Sequence, residues 1–126
     1  MLLSEAHDRF LRYCAAERNH SPETIKAYRQ ASRRFLEWMK VNGYGDPPVT
    51  EITPEIGRDY LYYLHTLGIR PRTVLHLFLP LRALYRMLIR QRYVSVNPFL
   101  EIELPKKDAA RRLLITEEEQ IGRAHV

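Results

Sequence analysis

Lys26, Arg29, Arg33 and Lys40 stand at i, i+3, i+7 and i+14. On a helix that spacing gathers four cations within ~60° of one another. A row of this kind can follow the phosphates of a nucleic-acid backbone, because Lys and Arg neutralise charge that repeats along the strand. Ser21 and Thr24 sit where the same segment begins, and the free amides of a helix N-terminus there could take one phosphate more. A solvated basic face on a soluble helix accounts for the row equally well.

Other chemistries have no matching pattern. The five histidines, His7, His20, His65, His76 and His125, fall on different segments without the i, i+4 pairing of a helical zinc site, and each reads as an ordinary surface or core residue. With Cys14 as the sole cysteine, neither a thiolate cluster nor an internal disulfide can form. There is no Gly-rich phosphate loop, no Gly-x-Ser-x-Gly and no carboxylate pair inside an apolar pattern. The expectation is no metal, no cofactor, no small-molecule substrate and no catalytic residue. Tyr13, Tyr28, Tyr60, Tyr62, Tyr63 and Tyr85 recur among apolar residues at helical spacing and read as packing residues.

Charge sharpens the picture. The net +5 of this 126-residue chain is unevenly spread: +3 over residues 1–42, −3 over 43–69, +6 over 70–92 and −1 over 93–126. The third block holds Arg70, Arg72, Arg82, Arg86, Arg90 and Arg92 with no acid at all, so its field must be met from outside the segment, by a polyanion or by carboxylates on neighbouring elements. No apolar run approaches the ~20 residues of a membrane span. Met1–Arg9 lacks the basic start and apolar stretch of a signal peptide, so a cytoplasmic protein without membrane contact is expected.

The elements that must carry these residues are helices. Ser4 can cap a first helix over 4–18, with Leu3, Phe10, Leu11 and Cys14 inward. Ser21-Pro22-Glu23 starts a second, which Gly43 stops, with Ile25, Tyr28, Ser32, Phe35, Leu36 and Met39 on one face and the basic row just beside it. Thr53-Pro54-Glu55 repeats that start for a third over 54–67, with Ile56, Tyr60, Leu61 and Leu64 buried and Gly68 after its end. A fourth, from about Arg72 to Tyr93, is apolar around more than half its circumference and must be central; Pro80 predicts a kink or break near His76. No segment alternates for long enough to be a strand. The fold class is all-α with four principal helices.

Glu17–Met39 (ERNHSPETIKAYRQASRRFLEWM), TPEIGRDYLYYL from Thr53, RTV from Arg72, LRALYRML from Leu81, VNPF from Val96, LPKK from Leu104 and LLITEEEQ from Leu113 follow in this order. The series resembles the N-terminal core-binding, SAM-like domain of tyrosine recombinases, the phage integrase and Xer-type family. The resemblance covers about residues 1–120. It implies a four-helix bundle, residues 1–104, that forms half of a clamp around double-stranded DNA and acts beside other recombinase protomers. It further implies a basic linker over 105–112 and, over 113–120, the start of a catalytic domain cut short before its nucleophilic tyrosine. Residues 121–126 (IGRAHV) are what one frame of a common sequencing adapter encodes, and are expected to be foreign.

For the DNA contacts, the spacing leads to the expectation that Lys26, Arg29 and Arg33 track phosphates and that Lys106 and Lys107 in the linker do the same between domains, and the resemblance implies phosphate or base contacts from the start of helix four. There this chain departs from its relatives: Leu75, Leu77, Phe78, Leu79 and Pro80 are apolar, which leaves Arg72, Thr73 and His76 as readers. A non-enzymatic helical protein-interaction module is the alternative. A helix-turn-helix regulator fits less well, because no short second helix with a polar reading face follows a tight turn.

Overall fold

Ser21 and Thr53 do what their positions predict. The Thr24 amide donates to Ser21 Oγ (3.2 Å) and the Ile56 amide to Thr53 Oγ1 (3.2 Å), each ahead of a proline at the first helical position. In the computed structural model, which describes residues 1–105, four helices form: α1 (Leu3–Ala16), α2 (Pro22–Val41), α3 (Pro54–Thr66) and α4 (Pro71–Arg90), with a 3-10 turn at Val49–Glu51 before α3. Among the described residues there is no strand, only an isolated antiparallel bridge between Leu2 and Pro48. Lys106, Lys107 and residues 113–126 lie outside the described residues, as does all but residue 105 of the expected linker.

α2 packs along both α4 and α1, and α4 also supports α3. At the centre is an aromatic cluster around Phe35: Tyr60 meets it edge-on at 4.8 Å between ring centroids, Phe99 edge-on at 5.8 Å, and Trp38 stacks at 6.1 Å. α4 is central, with nine buried residues from Val74 to Leu88.

Three expectations need correction. Ser4 does not cap α1; Leu2 holds that position, and Ser4 lies in the first turn with its amide and hydroxyl both donating to the Asp46 carboxylate. The carboxylate that accepts from this first-turn amide is thus distant in sequence. The loop that carries Asp46 is fixed to α1 and to α4, since the Leu3 amide donates to the Pro47 carbonyl and the Tyr85 hydroxyl to the Val49 carbonyl. Second, α4 is not broken at Pro80. Pro80 is itself buried beside Phe78 and Leu81, and that packing outweighs one missing backbone hydrogen bond. Third, the buried face of α2 is rotated from its expected position, because Ala31 and Trp38 are buried while Ile25, Tyr28 and Leu36 are only half-buried.

After α4 the chain folds back over the bundle. Asn97 Nδ2 donates to the Arg82 carbonyl, and Asn97 Oδ1 accepts from the Phe99 amide. Arg82 in turn donates from Nε to the Phe99 carbonyl and from Nη2 to the Ile102 carbonyl. Phe99 and Ile102 settle against buried Gly57 of α3, where an added Cβ would stand 2.6 Å from Ile102 Cδ1 and 3.1 Å from Phe99 Cδ1. A Gly57→Val substitution is therefore expected to destabilise the fold by ~2 kcal/mol through overpacking, although Val is the better helix former. A thermal melt that showed equal or greater stability would contradict this packing.

Candidate nucleic-acid interface

The buried side of α2 runs through Ala31, Ser32, Phe35, Trp38 and Met39, with Ile25, Tyr28 and Leu36 half-buried against the core, and the row Lys26, Arg29, Arg33 and Lys40 lies outside that face, next to Ile25 and Leu36 at its edge. All four are exposed. Arg33 and Lys40 also border an open groove of about 1360 Å³ between α2 and α3, lined further by Arg34, Trp38, Tyr62 and Tyr63. Its charges are mixed, since Glu37 and Asp59 line it too.

At the entrance to α2 the amides are largely used. Pro22 has none, the Thr24 amide goes to Ser21 Oγ and the Ile25 amide to the Ser21 carbonyl. Of the first turn this leaves the Glu23 amide, next to a carboxylate. Ser21 is exposed and Thr24 half-buried, joined by a hydroxyl–hydroxyl bond of 3.1 Å. Ser21 caps the helix and Thr24 is the residue it caps.

Arg72, Thr73 and His76 are exposed on the first turns of α4, while Val74, Leu75 and Phe78 turn inward. Leu75, Phe78 and Pro80 of the apolar run that follows Thr73 are therefore core and Leu77 is half-buried, and the surface presents Leu79 beside Arg72, Thr73 and His76. The +6 block divides in the same way: Arg82 is spent on the carbonyls of Phe99 and Ile102, whereas Arg70, Arg72, Arg86, Arg90 and Arg92 are exposed.

The structure also gathers a second cationic group that spacing did not reveal. Arg18 and His20 from the α1–α2 turn meet Arg86 and Arg90 of α4 around a depression of about 120 Å³, walled by Tyr13 and Tyr28 and floored by Phe10, Cys14 and Met87. The aromatic walls are ordered: Tyr28 stacks on Phe10 at 5.6 Å, and His20 stands edge-on to Tyr28 at 5.7 Å. The neighbouring Tyr13 hydroxyl raises the pKa of Arg18. Burial pushes the Cys14 thiol up to about 11, so this floor is uncharged at neutral pH. The i, i+4 pair Arg86 and Arg90 was visible in the sequence, but which turn of chain lies beside it was not.

Among the described residues no group of three or more His, Cys, Asp or Glu is placed to hold a metal, and no helix is long and apolar enough to cross a membrane.

Residues 7–92 match the family described as phage integrase, N-terminal SAM-like domain. Among curated proteins, the chain is 34% identical over 110 residues to "Tyrosine recombinase XerC" of Bacillus pumilus, an alignment covering 87% of this chain and 35% of that protein. It is 31% identical over 99 residues to "Tyrosine recombinase XerD" of Listeria monocytogenes, covering 78% and 33%. It is 28% identical over 122 residues to "Tyrosine recombinase XerD" of Oceanobacillus iheyensis, covering 94% and 39%. The chain thus spans about a third of the length of the curated relatives it matches. No solved structure matches it.

Proposed function

Because the chain belongs to the phage integrase N-terminal SAM-like domain family, we propose that it is the DNA-binding half of a site-specific tyrosine recombinase, clamping duplex DNA for recombination or integration. The observation that carries this reading is the row Lys26, Arg29 and Arg33, all exposed on α2 outside its buried face. Cations so placed neutralise successive phosphates and fix register without reading sequence. Arg72, Thr73 and His76, exposed between buried neighbours on α4, are the side chains assigned to base edges. Lys106 and Lys107 continue the phosphate contacts into the following segment. Copies of the chain act together on DNA in the cytoplasm, and the cutting and rejoining chemistry belongs to the catalytic half of the parent enzyme.

Each phosphate contact releases about one counterion. Replacing Lys26, Arg29 or Arg33 by Ala should then weaken binding to all duplexes and reduce the slope of log affinity against log salt by about 0.9. Arg72→Ala should instead cost ~1–3 kcal/mol on the cognate site and less on random DNA. Titration of labelled duplex at several salt concentrations separates these outcomes. A protein-interaction module would show no duplex binding at low salt, or weak binding that all these substitutions leave untouched.

A further inference from the structure

Arg18, His20, Arg86 and Arg90 come from the α1–α2 turn and from α4, yet they border one depression whose lining contains no carboxylate. A cation near a helix C-terminus needs no ligand to explain it, and Arg90 lies in the last turn of α4. That explanation does not account for the convergence. A helix dipole is complemented by a residue of its own helix, whereas here Arg18 and His20 are brought against Arg86 and Arg90 from another element.

Three guanidinium groups around one depression without an acid repel one another, and an anion between them turns that repulsion into attraction. The depression, about 120 Å³, has room for a phosphate group, roughly the volume of four waters in the liquid. Its wall is fixed by the stacked Phe10 and Tyr28 rings, and Tyr28 meets His20 edge-on. Arg18, Arg86 and Arg90 are exposed and His20 half-buried, so a phosphate can reach them from solvent.

We infer that this depression holds one phosphate of the duplex backbone, beyond the stretch followed by the α2 row. The inference rests on the duplex-binding reading above and adds a contact that neither spacing nor resemblance assigns.

The test is a titration of labelled duplex with the full chain and with the pair Arg86→Ala/Arg90→Ala, at several salt concentrations. Arg86→Gln/Arg90→Gln is the second variant; it keeps the aliphatic stems and the helix propensity should the Ala pair lower the melting temperature. The expected result is about tenfold weaker binding with a salt slope smaller by about one, the chain melting as before. Unchanged affinity in the pair, or a fall in affinity with an unchanged slope, overturns the phosphate site. In either case the duplex-binding reading stands as long as the Lys26, Arg29 and Arg33 variants weaken binding. Absence of any duplex binding by the unsubstituted chain overturns both.

Discussion

Phe99→Ala is expected to cost about 3–5 kcal/mol and to lower the melting temperature by on the order of 10 °C or more, although Phe99 belongs to no helix. Its ring is fully buried, edge-on to Phe35 at 5.8 Å and to Phe78 at 5.6 Å, and inclined at 61° to Tyr85 at 5.5 Å. Truncation would open a cavity where α2, α4 and the returning chain meet. It would also free Ile102 from Gly57 and leave the Arg82 guanidinium with a less ordered pair of carbonyls. A loss of stability comes with a changed exit path for the chain, because Phe99 is the largest of the contacts, with Ile102, Asn97 and the Arg82 guanidinium, that fix residues 97–102 to the bundle. The measurement is a denaturant titration of the full chain with Phe99→Leu beside it, expected to recover more than half of the loss. If Phe99→Ala melts within a degree or two of the parent, the anchor is not what holds this segment.

Stability should also fall as the pH drops from about 6.5 to about 4, through His7. Its side chain is 3% exposed, neither ring nitrogen has a hydrogen-bond partner in the protein, and Phe35 packs beside it at 6.5 Å. Burial lowers its pKa from 6.5 to about 4; the Asp46 carboxylate opposes the shift without cancelling it. Between those two values the unfolded chain binds a proton that the folded chain does not, so stability rises with pH across the window and is level above it. A shift of this size is worth about 3 kcal/mol, fully present above pH 6.5 and lost progressively towards pH 4. His7→Met should flatten that part of the pH–stability curve and leave the rest in place. A parent curve already flat between pH 4 and 6.5 would mean that the imidazole is protonated as easily inside the fold as outside it.

Both effects arise from residues whose roles are hard to see along the chain. Ser21-Pro22-Glu23 and Thr53-Pro54-Glu55 could be read directly, because a helix start is a local event settled by one hydroxyl, one fixed φ and the residues next to them. Gly43 and Gly68 as stops are equally local; both adopt positive φ, at 84° and 71°. The all-α class, the central position of α4 and the family resemblance followed from patterns that each segment carries in itself.

What the sequence could not decide were the matters settled between segments. Whether Ser4 caps a helix or is itself held depends on Asp46, forty-two residues away. Arg82 belongs to an acid-free basic block, yet it bonds two carbonyls of a returning segment and is only half-exposed, unlike the other five arginines of that block. The buried face of α2 is centred on Ala31, Phe35 and Trp38, and Ile25 and Leu36 stand at its edge, next to the basic row. Arg18 and His20 meet Arg86 and Arg90 only because the α1–α2 turn passes beside α4. Periodicity and caps act within a few residues and are written in the sequence; which cations remain exposed, and which gather, depends on contacts that exist only once the helices have packed.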